Sequence, residues 1–92
     1  MEIEFSSKAK SDLDFWRKSG NKKNQTRITK LIESIVENPF SGIGKPESLK
    51  ENLSGFWSRR ITREDRLVYS IIYKIENSTI SILSLRGHYE LT

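Results

Sequence analysis

The first part of the chain carries two stripes of apolar residues at helical spacing. The first stripe consists of Ala9, Leu13 and Trp16. Apolar residues at this spacing share one face of a helix, so the stripe predicts a helix that runs to about Ser19. Ser6 and Ser7 offer hydroxyl groups that can cap its N-terminus. Gly20 supplies the residue type that most often ends a helix.

The second stripe predicts the clearest helix of the chain. It consists of Ile28, Leu31, Ile32, Ile35 and Val36. These positions follow the repeat of a helix with one buried face and no gap. Asn38 and Pro39 end the helix, because proline disfavours the helical conformation of the residue before it. Two helices joined by so few residues predict a short antiparallel helical hairpin.

After residue 54 the apolar pattern changes to the alternation that is typical of strands. Three runs rich in Ile, Val, Tyr and Trp cover residues 56–62, 66–74 and 79–86. The breaks between them are short enough for hairpins, so the runs predict an antiparallel three-stranded meander. Residues 2–6 predict one further strand, and residues 39–54 predict a loop that is irregular for most of its length.

Helices followed by strands indicate an α+β fold. We predict an N-terminal strand and a two-helix hairpin packed on an antiparallel sheet, which the strand forms together with the three-stranded C-terminal meander. The other face of the sheet is expected to stay partly open. With 92 residues, 35% of them hydrophobic, the chain can close one small core, so we expect one domain over residues 1–92.

Composition excludes several classes of protein. The chain has no cysteine, which excludes a disulfide scaffold, a thiol nucleophile and a zinc site built on thiolates. No apolar run approaches the roughly 20 residues of a membrane span. The N-terminal residues Met1–Glu4 are acidic and show no secretory signal, so we expect a soluble protein of the cytoplasm that has no membrane partner.

The charge is concentrated in the predicted helices. The formal net charge is +4, and residues 8–30 hold eight Lys or Arg against two Asp. The outer helix faces carry Lys8, Lys10, Lys18, Lys22, Lys23, Arg27 and Lys30. Such a stripe is either a solvated face or a surface that binds a polyanion such as RNA, because neutralising phosphates releases counterions.

Strand alternation brings two arginines together. In the first meander strand Ser58 and Arg60 share one face, and Trp57 lies on the other, where we expect it to pack. Arg66 begins the next strand across a tight turn, so two guanidinium groups can share one face. Adjacent cations repel each other unless an anion lies between them. That anion is either a bound ligand or the acidic pair of the turn, Glu64 and Asp65.

The sequence gives little support for metal-dependent catalysis. The carboxylate pairs lack a histidine or a third ligand at metal-binding spacing, so no metal and no other cofactor is expected. What remains is a metal-free set of side chains: Glu47, Lys50, Arg60, Arg66, His88 and Tyr89. This set suits RNA cleavage by the substrate's own 2′-hydroxyl, which needs a base, an acid and fixed cations on the phosphate. The sequence alone does not establish that the six converge.

Four segments resemble one family closely. They are GKPESLK at 44–50, NLSGFWSRRI at 52–61, RLVY at 66–69 and HY at 88–89. In this order, and with the preceding strand and helix pair, they are similar to the YoeB/Txe branch of the RelE-type toxins. The resemblance covers essentially the whole chain. It implies a RelE-like fold and a ribosome-dependent mRNA endoribonuclease of a type II toxin–antitoxin system.

The resemblance also implies partners. A toxin of this kind enters the ribosomal A site, cleaves the mRNA there and stops translation. Its partners are then mRNA, the ribosome with its rRNA, and a YefM-like antitoxin. The resemblance leaves open whether the protein is a homodimer. It also makes the lysines of the helix faces candidates for contact with ribosomal RNA.

Roles follow for the matching positions. The resemblance implies Glu47 as general base, Arg66 as the group that stabilises the transition-state phosphate, and His88 as general acid or as an assistant to the base. Lys50 and Arg60 would position the phosphate. Tyr89 would stack on or orient a nucleotide.

Two features depart from the family pattern. Gly87 stands where relatives often carry an aromatic residue, and Glu90-Leu91-Thr92 follow the His-Tyr pair. We expect the glycine to loosen the backbone before His88, and Glu90 to raise the pKa of His88. Two other functions remain as alternatives: a non-catalytic ParE-like inhibitor that binds gyrase, and a basic RNA-binding module.

Overall fold

The structure, a computed structural model, describes residues 1–87. In chain order it contains β1 (Glu2–Phe5), α1 (Ser7–Lys18), α2 (Lys22–Glu37), β2 (Glu47–Ser48), β3 (Trp57–Arg60), β4 (Arg66–Ile72) and β5 (Thr79–Ser84). A single 3₁₀ turn, Glu51–Leu53, lies between β2 and β3. The predicted α+β class is confirmed, with both helices on one face of a sheet.

The helices begin and end where the sequence indicates. The hydroxyl of Ser6 accepts a hydrogen bond from the Ala9 amide and caps α1, and the side chain of Asn21 caps α2 in the same way. Gly20 has a φ of +72°, the left-handed conformation that glycine adopts without strain. One position of the second stripe differs from the prediction, because Val36 is 44% exposed.

The sheet differs from the prediction in two details. Its strand order is β1-β5-β4-β3-β2, with antiparallel pairs except between β1 and β5, which are parallel. The sheet is therefore mixed rather than wholly antiparallel, because the chain crosses over through the two helices before the meander begins. The loop at 39–54 also contributes the two-residue strand β2, which is too short to give an alternation signal in the sequence.

The core lies between the helices and one face of the sheet. It contains Ala9, Trp16, Ile28, Leu31, Ile35, Ile61, Leu67, Tyr69, Ile80, Ile82 and Leu85. Within residues 1–87 no helix is long and apolar enough to span a membrane. The opposite sheet face carries Glu47 and Arg60, both exposed.

A buried arginine closes the core where α2 meets the long loop. The Arg59 side chain has no exposed surface, and all five of its N–H groups are bonded. They donate to the hydroxyls of Tyr69 and Ser34 and to the carbonyls of Asn38, Ser41 and Ile43, at 2.8–3.1 Å. Arg59 therefore fastens the loop after α2 to the sheet.

Trp57 is a packing residue, as strand alternation predicts. It packs against the core on the helix side, and its ring centroid lies 4.9 Å from that of Phe40. Since the ring is half-buried, we expect Trp57→Ala to lower the free energy of unfolding by about 2 kcal/mol in urea titration. Activity should fall only with the folded fraction. A variant of full stability without activity would contradict this packing role.

Candidate active site

Three charged side chains of the predicted set share the sheet face opposite the helices. Arg60 and Arg66 are directly paired across β3 and β4, and Glu47 is paired with Ser58. Because directly paired residues point to the same side of a sheet, all three lie on the face opposite the helices. Strand spacing puts the Cα atoms of the two arginines about 5 Å apart. Glu47 lies roughly 12 Å from Arg66 along the same face.

Arg66 is held from behind by its own turn. Its Nη1 atom donates to the carbonyls of Thr62, Arg63 and Asp65 at 3.0–3.2 Å. The residue is only 9% exposed, so its guanidinium is fixed rather than mobile. Within residues 1–87 its Nε and Nη2 atoms have no acceptor. These two nitrogens form the fork that suits a phosphate.

The acidic residues of the turn do not neutralise the two arginines. The ion pairs of residues 1–87 all lie within α1, between Lys8 and Asp12 and between Asp14 and its neighbours Arg17 and Lys18. The Asp65 carboxylate instead accepts hydrogen bonds from the Thr62 hydroxyl and the Gly87 amide. Of the two sources of an anion considered above, a bound ligand is therefore favoured over the turn.

Lys50 lies just beyond Glu47, at the start of the 3₁₀ turn. Its side chain is exposed and its backbone carbonyl accepts a hydrogen bond from the Leu53 amide. Lys50 follows the end of β2 by two residues, and the described contacts do not join it to Arg60 or Arg66.

His88 and Tyr89 lie outside the described residues, and so does the predicted effect of Glu90. The chain that leads to them is nevertheless defined. The Arg66 amide donates to the Gly87 carbonyl at 3.0 Å, so the last described residue lies beside Arg66. The Gly87 amide is also bonded, to the Asp65 carboxylate, while the expectation that this glycine loosens the backbone before His88 stays a prediction.

A basic groove adjoins the site. It has a volume of about 820 Å³ and runs between the first half of α2 and the β3–β4 turn. Its charged lining residues are Lys22, Lys23, Arg27, Lys30, Arg60 and Arg63, with no carboxylate among the residues that line it. Arg60 lines the groove, where its carbonyl accepts a hydrogen bond from Arg27, and its side chain lies on the sheet face opposite the helices.

The structure divides the lysines of the helix faces into two groups. Those of α1 include Lys8 and Lys18, which are paired with aspartates. Those of α2 line the basic groove, and the first turn of α2 contains two lysines and no acidic residue. Cations at a helix N-terminus oppose the helix dipole, so this end of α2 gains stability when it faces an anion.

Sequence reasoning missed the group that holds the loop before Glu47. Arg59 and Tyr69 form it: the Tyr69 hydroxyl donates to the Pro39 carbonyl at 2.6 Å and accepts from Arg59. Burial raises the pKa of Tyr69 above its usual value, against the opposing effect of Arg59. The alternation of β3 puts Arg59 on the helix side, so an arginine on the core face was the signal that could have revealed this group in the sequence.

Within residues 1–87 no group of acidic or histidine side chains is arranged to hold a metal ion.

This arrangement defines the class of protein. Two helices on a mixed five-stranded sheet form the fold of the RelE/YoeB-like toxins. Residues 5–89 match the family of YoeB-like toxins of bacterial type II toxin–antitoxin systems. The chain belongs to this family.

The similarity to known proteins extends over most of the chain. The chain is 51% identical over 75 residues to the toxin YoeB of Synechocystis sp., covering 82% of this chain and 83% of that protein. The YoeB/ParE toxin from Agrobacterium tumefaciens superposes with a TM-score of 0.90 at 34% identity, covering 97% of this chain and 100% of that one.

The YoeB of Staphylococcus aureus has been solved as a dimer and in a YoeB–YefM complex. The two structures superpose on this chain with TM-scores of 0.82 and 0.81, at 41% and 42% identity. Each match covers 97% of this chain and 98% of the other.

Proposed function

We propose that this toxin is a ribosome-dependent endoribonuclease, which cleaves mRNA in the ribosomal A site without a metal ion. The observation that carries the proposal is the directly paired Arg60 and Arg66, which lie with Glu47 on the sheet face opposite the helices. Two adjacent cations without a described carboxylate partner are an anion site, and the phosphate of a nucleic acid is the anion that this basic surface fits.

The proposed reaction uses the substrate's own 2′-hydroxyl. Glu47 removes the proton as the 2′-oxygen attacks the adjacent phosphorus, and Arg66 stabilises the charge that develops on the phosphorane. The bond to the 5′-oxygen breaks, and His88 supplies the proton that this oxygen takes up. The products are a 2′,3′-cyclic phosphate and a 5′-hydroxyl end. Lys50 and Arg60 position the phosphate, and Tyr89 orients a nucleotide.

Partners follow from the same proposal. The ribosome brings the mRNA to the site, which implies that the toxin acts in the bacterial cytoplasm. The YoeB–YefM complex of S. aureus supports a YefM-like antitoxin as the neutralising partner. The YoeB dimer of the same species supports a homodimer, and light scattering of the purified toxin measures this directly.

In vitro translation of a defined mRNA with the purified toxin tests the function. We expect cuts within codons by primer extension, loss of the cuts in Glu47→Gln, and no cuts in free mRNA. Arrest of translation without cuts would overturn the nuclease proposal in favour of an RNA-binding module. Inhibition of gyrase supercoiling without any arrest would support a ParE-like inhibitor instead.

Metal independence gives a separate prediction. We expect the rate of cleavage on assembled ribosomes to stay within about twofold when the toxin is first freed of metals by a chelator and then desalted, because general acid–base groups supply the chemistry. The control is the same toxin supplied with Mg²⁺ or Zn²⁺ before desalting. Restoration of a lost rate by either metal would contradict the mechanism.

The basic groove gives a prediction about binding. Lys22→Gln/Lys23→Gln/Lys30→Gln should weaken binding to ribosomes and lower the slope of log affinity against log salt by about 2, since each lost phosphate contact removes somewhat less than one unit. The matched control is Lys8→Gln/Arg17→Gln/Lys18→Gln, which removes the same charge from ion pairs of α1. Equal slopes for the two variants would contradict a role of the groove.

A further inference from the structure

Four hydrogen bonds hold the backbone just before His88. The Leu85 amide donates to the Asp12 carboxylate at 2.9 Å, and the Leu85 carbonyl accepts from the Trp16 indole at 2.8 Å. The Gly87 amide donates to Asp65, and the Gly87 carbonyl accepts from the Arg66 amide, both at 3.0 Å. We call these four hydrogen bonds the C-terminal anchor. Asp12, Trp16, Asp65 and the Arg66 amide are the groups that bind the backbone of Leu85 and Gly87 in it.

The α1 half of the anchor is buried. Asp12 and Trp16 are each only 6% exposed, and Lys8 donates to the same carboxylate oxygen of Asp12 as Leu85 does. A buried carboxylate bound by an amide and an ammonium group is fixed in position. Both polar groups of Leu85 are therefore tied to α1 at the point where β5 has ended.

The other half of the anchor joins the chain to Arg66. One carboxylate oxygen of Asp65 binds the Thr62 hydroxyl at 2.9 Å, which leaves the other aimed at the Gly87 amide. The Asp65 carbonyl also accepts from the Ile61 amide, which closes the turn. Gly87 has a φ of +94°, a conformation that other residues adopt only with strain.

We propose that Asp65 is a positioning residue for catalysis: it fixes the Gly87 backbone, to which His88 is joined, and acts on the reaction through His88. This inference rests on the proposed function, in which His88 supplies the proton that the leaving 5′-oxygen takes up. Asp65 precedes Arg66 directly in the chain, so one turn carries both the phosphate-binding guanidinium and the bond that directs the chain into His88. The role of this carboxylate is to accept the Gly87 amide, and not to neutralise an arginine.

A double-mutant cycle on programmed ribosomes tests the inference. We expect Asp65→Ala to lower the single-turnover rate at saturating toxin by about 10- to 100-fold, because misplacement of a catalytic group by about 1 Å has that effect. The half-saturating concentration should change by less than about twofold, since Asp65 does not bind substrate. Asp65→Ala/His88→Ala should cleave at the same rate as His88→Ala alone.

Two further variants separate positioning from structure. Asp65→Asn keeps an acceptor for the Gly87 amide and should retain the rate within about threefold. Glu64→Ala removes an exposed carboxylate of the same turn and is the matched control, with no change expected. If Asp65→Ala lowers the rate equally in the presence and absence of His88, the inference is overturned.

Gly87→Ala gives an independent check if Asp65→Ala fails to fold. An added Cβ would meet no atom within 4 Å, so only the backbone conformation is strained. We expect a loss of rate that again disappears in the His88→Ala background. Full activity of Gly87→Ala would overturn the inference.

Amide hydrogen exchange separates failure of the inference from failure of the proposed function. We expect the Gly87 amide to exchange at least about tenfold faster in Asp65→Ala than in Glu64→Ala, because the bond that protects it is lost. Unchanged exchange would overturn the anchor even if the toxin cleaves mRNA. Faster exchange in a toxin that does not cleave mRNA would overturn the proposed function and the catalytic role of Asp65, while the anchor itself would stand.

Discussion

Arg66→Ala is expected to lower mRNA cleavage on the ribosome by roughly 100- to 1,000-fold, the effect of removing one group that stabilises transition-state charge. The guanidinium is fixed by three carbonyls of its own turn and is paired across the strands with Arg60. A fixed cation needs little reorganisation as charge develops, so its loss should appear in the rate rather than in binding. Single-turnover cleavage at saturating toxin measures this.

Arg66→Lys is the informative companion, because it keeps the charge but loses the planar fork that binds two phosphate oxygens. We expect a rate between those of the unaltered toxin and Arg66→Ala. Binding of a YefM-like antitoxin and the circular dichroism spectrum should remain unchanged in both variants and serve as controls for folding. Unchanged cleavage in Arg66→Ala would remove this residue from the mechanism.

Arg59→Ala is expected to have the largest effect on stability, lowering the free energy of unfolding by about 3–5 kcal/mol, because each buried acceptor left without its donor costs about 1–3 kcal/mol. The substitution deletes five hydrogen bonds. It also leaves the carbonyls of Asn38, Ser41 and Ile43 without these donors, in a protein small enough to have little stability to spare. Urea unfolding followed by tryptophan fluorescence measures the loss.

The neighbouring Arg60→Ala is the matched control, because it removes the same side chain from the exposed face of the same strand. It should change the free energy of unfolding by no more than about 0.5 kcal/mol. Arg59→Lys should recover only part of the loss, since an ammonium group has three donors against five. Equal stabilities of Arg59→Ala and Arg60→Ala would contradict the structural role of Arg59.

The two adjacent arginines of β3 show why sequence patterns separate some roles and not others. Alternation along a strand correctly puts Arg59 and Arg60 on opposite faces. It does not say that the core face contains the carbonyls that bind a guanidinium. Those carbonyls belong to the loop after α2, whose path depends on Gly42 and Gly44. A Cβ at either position would lie 2.6 Å or less from an α2 side chain, so the loop packs directly on that helix.

The sequence by itself determined the two helices, the meander, the α+β class and the possibility that Arg60 and Arg66 share one sheet face, because these depend on local periodicity and on turns of a few residues. The family resemblance was likewise read from continuous segments. Only the tertiary structure decided the parallel pairing of β1 with β5, since a crossover through two helices has no local signal.

The tertiary structure also decided which charges are paired. Sequence reasoning treated the lysines of both helices as one basic surface and left open whether Asp65 is a counter-ion of the turn. In the fold, aspartates of α1 pair with Lys8 and Lys18 of the same helix, and the α2 lysines line a groove together with Arg60. Asp65 binds the Gly87 amide, 22 residues further along the chain. Hydrogen bonds and ion pairs form between groups that are close in space, and the number of residues between two positions in the chain does not indicate that distance.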